Sequence, residues 1–212
     1  MKTNFIIPTK LCEISKKLNI YFVHISTDML FRGNLNRKYI EKSKLKALNT
    51  YSATKIKAER KIRIYKKSLI IRTNFFGFSG KTNMSFSDKI LNDHFAKKIT
   101  YLWEDVYITP VYITFLVKVI NQLIRKKITG IFNVSCNECV SKFNFGKKLL
   151  SKISKTNYLK SNKFEKKKFT NRPKNMCISN DKIKKTLPNI KKMFSLNYQL
   201  NLFKKDFKKL SK

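Results

Sequence analysis

The stretch from Ser26 to Lys55 contains residues that can act together on a carbonyl group. Ser26-Thr27-Asp28 closes an apolar run, Ile20-Tyr21-Phe22-Val23-His24-Ile25, and Tyr51-Ser52-Ala53-Thr54-Lys55 follows downstream. Tyr51 and Lys55 are four apart, so on a helix they share a face and can approach one ligand together. A free tyrosine titrates near pH ~10. A lysine ammonium beside it favours the phenolate, and Tyr51 can then act as general acid toward a ketone oxygen. Thr27 can donate a hydrogen bond to the same oxygen as charge develops on it. A Tyr-x-x-x-Lys recurs by chance in a lysine-rich chain, so alone it says little. Its setting says more. The apolar run reads as a strand ending at Ser26-Thr27, and in open α/β sheets ligands gather at the carboxyl ends of strands.

The elements around these residues alternate. Residues 8 to 18 read as a helix with Leu11, Ile14 and Leu18 on one face, and Pro8 suits its first turn. Residues 20 to 25 read as a strand buried on both faces. Residues 29 to 46 read as a loop with a turn at Gly33, residues 49 to 66 as a helix, and Leu69-Ile70-Ile71 as the next buried strand. This is the pattern of βαβ units with right-handed crossovers. Further on, helices are predicted over 84 to 97, 111 to 125, from Ser141 onward, after Ser179-Asn180, and over 196 to 209. Strands are predicted at 100 to 102, 131 to 134 and 176 to 178, and a Lys/Asn/Ser-rich surface excursion at 154 to 171. Trp103 reads as a packed aromatic at a loop edge, with stacking on a ligand base as the alternative.

Several strings together resemble a known family. They are Phe22-Val23-His24-Ile25-Ser26-Thr27-Asp28, Leu30-Phe31-x-Gly33, Tyr51-x-x-x-Lys55, Arg72-Thr73-x-Phe75-x-Gly77, Gly130-Ile131-Phe132-Asn133-Val134 and Arg172-Pro173-x-x-Met176. They look like the extended short-chain dehydrogenases/reductases, and within them the dTDP-4-dehydrorhamnose reductase (RmlD-like) group, over about residues 4 to 200. The resemblance implies reduction of a 4-keto sugar nucleotide with NADP or NAD as cofactor. It implies Thr27, Tyr51 and Lys55 as catalytic residues, with Tyr51 and Lys55 also holding the cofactor and Thr27 and Arg172 the substrate, Arg172 at its phosphates. Three positions depart from the family pattern. Met29 stands where Tyr or His usually follows Ser-Thr-Asp, Arg32 interrupts a common Phe-Asp-Gly, and Ser52 stands where Gly or Ala commonly follows the tyrosine.

A complete dinucleotide fold opens on a strand, a Gly-x-x-Gly-x-x-Gly turn and a helix, because the glycines let backbone approach a pyrophosphate at a helix N-terminus. This chain has five glycines, none before Gly33, and no spacing among them makes that turn. The expectation is therefore an α/β fold: a partial Rossmann-like parallel sheet with its N-terminal strands missing, plus a smaller C-terminal α/β substrate-binding lobe. The division falls at residues 1–80 for the half with Thr27, Tyr51 and Lys55, and 81–212 for the lobe. A fragment, a split enzyme whose second chain supplies the missing strands, and a decayed paralogue all fit. So does a non-catalytic sugar-nucleotide-binding or subunit protein.

Composition bounds the remaining classes. Lys and Arg number 48 against 12 Asp and Glu, a formal charge of +36. Lysine supplies 41 of these and arginine 7, whereas nucleic-acid sites favour arginine's bidentate and stacked contacts. Lys, Asn, Ile, Phe and Tyr, all with A/T-rich codons, are abundant together, so a nucleic-acid partner is the less favoured reading. Cys136-Asn137-Glu138-Cys139 is a lone Cys-x-x-Cys without the second ligand pair of a structural zinc site. The four cysteines read as buried thiols, neither His24 nor His94 reads as a ligand, and no metal is expected. No apolar run approaches the ~20 residues of a membrane span. A cytoplasmic location is expected.

Overall fold

The computed structural model describes residues 2–34, 36–79, 84–156, 158–165 and 171–210. Part of the predicted 154–171 excursion lies outside them. The chain opens with a π-helical turn, Lys2–Ile6, that runs into α1, Ile7–Lys17. Then come β1, Phe22–Thr27; α2, Thr50–Ile62; β2, Ser68–Thr73; β3, Phe75–Phe76; and α3, Phe86–Phe95. The middle of the chain forms β4, Thr100–Trp103; β5, Tyr107–Ile108; β6, Val111–Tyr112; α4, Ile113–Arg125; and β7, Gly130–Val134. It ends with β8, Val140–Ser141; α5, Lys142–Leu150; β9, Leu159–Asn162; α6, Asp181–Thr186; a 3-10 turn, Pro188–Phe194; and α7, Leu196–Leu210.

The principal sheet is parallel, in the order β1-β2-β7. Phe22 pairs with Ser68 and Thr27 with Thr73, while Leu69 pairs with Gly130 and Thr73 with Val134. β2 is buried along its whole length, as a strand covered on both faces must be. Ile70 packs toward α1 and α2 with Cys12, Ala58 and Ile62. Leu69 and Ile71 face the opposite side, among Phe115, Leu116, Val119 and Leu123 of α4. The fold is thus α/β with a parallel sheet, as the alternation predicts.

Three small pairings belong to the rest of the chain: β3-β6 and β4-β9 parallel, β5-β8 antiparallel. β9 lies inside the stretch predicted as a polar excursion. Its side chains are mostly exposed, and its order comes from backbone pairing to β4, which hydrophobic periodicity does not report. The predicted strand at 176–178 is reduced to an isolated bridge, Tyr39 with Ile178, and a second, Tyr107 with Asn175, lies just before it. The helix predicted from residue 111 begins two residues later because Val111 and Tyr112 pair with β3.

One expectation needs correction. Cys139 and Cys177 form a disulfide, with Cα atoms 5.6 Å apart, so only Cys12 and Cys136 are buried thiols. The pairing spans 38 residues and arises because the Tyr107–Asn175 bridge brings the 175–178 segment beside the loop after β7. The apolar face of α1 is turned outward. Leu11, Ile14 and Leu18 lie 50, 52 and 62% exposed, and it is Thr9 and Cys12 that turn inward. Among the described residues no strand pairs with the outer edge of β1, so nothing extends the sheet beneath that face.

Candidate active site

The carboxyl end of β1 delivers Ser26, Thr27 and Asp28 to the rim of the sheet, all buried. α2 delivers Tyr51 and Lys55. Its N-terminus is fixed by a capping box: the Asn49 side chain accepts from Ser52 N at 2.9 Å, and the Ser52 hydroxyl accepts from Asn49 N at 3.3 Å. Such reciprocal caps satisfy two otherwise orphaned donors. The serine beside Tyr51 therefore has a structural task that the smaller family residues cannot perform.

Thr27, Tyr51 and Lys55 line one open cleft with Ile25, Ser26, Asp28, Met29, Thr73, Asn74 and Phe75. Arg172 lines an adjoining cleft with Leu48, Asn49, Thr50, Asn171 and again Tyr51. Tyr51, 40% exposed, is thus shared between the two. The Arg172 segment is held against the α2 end of the site by two contacts. Asn49 Nδ2 donates to Asn171 O at 2.8 Å. Gly33, at φ +79°, lies so close to Pro173 that a Cβ there would meet the proline at 2.5 Å. The glycine is needed both for its backbone angle and for this approach.

Hydrogen bonds set the starting positions. Thr27 Oγ1 donates to Asp28 Oδ1 at 3.3 Å and accepts from Met29 N at 3.3 Å. Asn74 Nδ2 donates to Asp28 Oδ2 at 2.8 Å. Burial pushes the Asp28 carboxyl up to about 6, against the opposing pull of Asn74 and Thr27. Lys55 Nζ donates to Ile25 O at 3.0 Å. That carbonyl lies on the free edge of β1: Phe22 N bonds Lys67 O in β2's direction, peptide groups alternate along a strand, and so Ile25 points the other way. Burial draws the Lys55 ammonium below its ordinary value, with Glu59 opposing. Ser26 Oγ and Thr73 Oγ1 both line the cleft and, among the described residues, have no hydrogen-bond partner. Buried hydroxyls without partners are uncommon enough to need a reason, and a ligand in the cleft supplies one.

Arg72 and Phe31, two residues of the resemblance strings, turn out to be structural. Arg72 makes a fully buried ion pair with Glu59, Nη2 to Oε2 at 2.7 Å, and its Nη1 donates to Glu41 O at 3.0 Å. Phe31 stacks on Tyr39 with ring centres 4.4 Å apart and lies under the Arg72 guanidinium. Trp103 packs edge-on against Phe164, in keeping with the packed-aromatic reading. His24 and His94 are buried, and among the described residues no cluster of His, Cys, Asp and Glu could hold a metal ion. Sequence reasoning missed Asp28 and Asn74 as site members. Their signal is position: each follows directly on the last residue of a parallel strand. A separate hollow between α1 and α2 is lined by Thr9, Cys12, Glu13, Lys16 and Lys61 among others, and burial pushes its Cys12 thiol up.

The family description that matches residues 1–202 is the RmlD substrate binding domain. The chain belongs to this family. "Probable low-salt glycan biosynthesis reductase Agl14" of Haloferax volcanii is 25% identical over 69% of this chain and 50% of its own length. The "dTDP-4-keto-6-deoxy-D-glucose reductase" of Streptomyces niveus is 25% identical over 58% of this chain and 43% of its own. The chain therefore spans about half the length of these curated relatives. A crystal structure of dTDP-4-dehydrorhamnose reductase from Bacillus anthracis, in complex with NADP, superposes with a TM-score of 0.76. It is 24% identical, over 87% of this chain and 66% of that one. Among the described residues no helix is long and apolar enough to cross a membrane.

Proposed function

We propose that this chain is the substrate-facing part of a reductase that uses NADPH or NADH to reduce the keto group of a 4-keto sugar nucleotide. The observation that carries this reading is the convergence of Thr27, Tyr51 and Lys55 on one cleft at the carboxyl end of a parallel strand. Tyr51 gives its phenolic proton to the ketone oxygen. Thr27 turns its hydroxyl from Asp28 to that oxygen and stabilises the developing charge. Lys55 leaves the Ile25 carbonyl, assists the tyrosine and holds the nicotinamide ribose. Arg172, across Tyr51, meets the substrate's phosphates. The bound nicotinamide cofactor supplies the hydride.

The residues present fit one end of that cofactor. Lys55, Tyr51 and the partnerless hydroxyls of Ser26 and Thr73 suit a ribose. A pyrophosphate cradle is a different matter. Among the described residues Gly33 packs on Pro173 and Gly146 on Leu102, and neither follows a strand of the principal sheet. The cradle is assigned to strands outside these 212 residues, and the free edge of β1 is where a second chain carrying them would pair. The division at residue 80 belongs to the same proposal.

The test is turnover of a dTDP-4-keto-6-deoxy sugar, followed by NADPH oxidation, in enzyme completed with such a cofactor half. Tyr51→Phe is expected to lower kcat by roughly 10² to 10⁴, the span of general acid catalysis; unchanged turnover would sink the assignment. A second reading, a sugar-nucleotide-binding subunit without catalysis, is favoured by the Lys55–Ile25 bond, which ties the lysine to a backbone carbonyl. It predicts nucleotide-sugar binding with no NADPH binding however the chain is completed.

A further inference from the structure

Lys142 opens α5, and its position is set by backbone rather than by charge partners. Its amide donates to Val106 O at 2.9 Å, and Ser141 caps the helix, its hydroxyl accepting from Asn144 N at 3.2 Å. The side chain runs between two rings, placing Nζ 4.8 Å from the centre of Trp103 and 5.2 Å from that of Phe86. Among the described residues the ammonium makes no hydrogen bond and no ion pair. Burial, and then the neighbouring Arg172 cation, bring it down to about 8, against the pull of Asp28. Among the described residues, two cations are therefore held near one another with no carboxylate bound to either, one of them largely desolvated. Stacking on aromatic faces offsets part of that cost. An isolated buried charge is nevertheless unfavourable until it meets its counter-ion.

Asp28 is not that counter-ion in the usual sense. Its two oxygens are taken by Thr27 and Asn74, and it reaches Lys142 only through space. Asp28 does fix the place, since it lines the Thr27–Tyr51 cleft. Arg172 fixes the other side, since it lines the cleft that shares Tyr51.

We propose that Lys142, together with Arg172, forms a phosphoryl-binding subsite that grips the diphosphate of a nucleoside diphosphate, with the Trp103 and Phe86 rings holding the ammonium in place. This rests on the sugar-nucleotide reading above and adds to it a residue that neither the resemblance strings nor the cleft lining includes. A planar guanidinium and a point-charge ammonium suit adjacent phosphoryl groups, the first by paired donors and the second by proximity.

Calorimetric titration of the chain with dTDP, thymidine and inorganic pyrophosphate tests it. Wild type is expected to bind dTDP far more tightly than thymidine. Lys142→Met and Lys142→Gln should each weaken dTDP at least ~10-fold, a loss typical of one charge-assisted contact. Thymidine affinity, far-ultraviolet circular dichroism and Tm should stay as in wild type, and Lys142→Arg should restore dTDP binding to within about threefold. A dTDP affinity unmoved by both Lys142→Met and Lys142→Gln overturns the subsite and leaves the sugar-nucleotide reading intact. Equal losses for dTDP and thymidine make Lys142 a packing residue and also overturn it. Wild type that fails to bind dTDP at all removes the reading and the subsite together.

Discussion

At the scale of single residues, the site and its supports are separated by hydrogen bonding rather than by residue type. His24 illustrates a support. It sits on β1 two residues before Ser26, 6% exposed, with Nε2 unpartnered. Burial brings its pKa down to about 4, with the Lys55 charge adding and Glu59 opposing. A histidine depressed in the fold stabilises it above the unfolded value, near 6.5, and that contribution is lost as pH falls toward 4. The full window corresponds to about 3 kcal/mol, at 1.36 kcal/mol per pH unit. His24→Leu is expected to flatten the acid limb of a urea-denaturation stability curve between pH 6.5 and 4 and to leave pH 8 little changed; a variant curve parallel to wild type would remove His24 as the cause. The convergence of Thr27, Tyr51 and Lys55 on one cleft was legible in the sequence because it rests on a four-residue spacing and a strand end. The partners that aim them were not. Asp28 bonds Asn74 across 46 residues, and Lys142 approaches Trp103 from a different element, so no local pattern records either.

At the scale of elements, α2, the helix that carries Tyr51 and Lys55, is held to the sheet by a charged pin. Arg72 of β2 and Glu59 of α2 are both about 2% exposed, and the arginine also closes on Glu41 O in the loop that carries Gly33 and Tyr39. One interaction thus joins α2, β2 and the 29–46 loop. Removing one member leaves an uncompensated buried charge, which costs about 3–5 kcal/mol, while replacing both by apolar residues is often near neutral. Glu59→Gln should therefore lower stability by that order, and Glu59→Leu with Arg72→Met should recover most of it. Chemical denaturation of the two variants measures this, and a double variant as unstable as the single one contradicts it. The long elements were legible: α2, α4 and α7 carry apolar stripes, and β2 is apolar on both faces. The two-residue strands β3, β5, β6 and β8 were not, because their order comes from pairing with distant backbone. The Cys139–Cys177 bond was hidden for the same reason, since it follows from where the 175–178 segment lies.

At the scale of the whole molecule, two properties oppose one another. The chain carries +36, so copies repel at low ionic strength. It also exposes Ile7, Leu11, Ile14, Leu18 and Ile20 beside β1, whose outer edge pairs with no strand among the described residues. Apolar surface next to an open strand edge is a template for association. The sequence showed the stripe on α1 but not its exposure. A 3.6-residue period says that a helix has an apolar face, and only the sheet beneath decides whether that face is covered. Salt should shift the balance, because the Debye length falls from about 10 Å at 0.1 M to about 3 Å at 1 M and the charge repulsion fades while the apolar contact does not. Light scattering is expected to find monomers at 0.05 M NaCl and reversible association at 1 M. Leu11→Glu with Leu18→Glu should keep the protein monomeric at both, with a stability change within the range of ordinary surface substitutions, roughly ±0.5 kcal/mol. The same double variant should fail to pair with a chain that supplies the cofactor-binding strands, because both contacts use one face. Salt-induced association that persists in the variant would place the adhesive surface elsewhere and remove the α1 face as the seat for those strands.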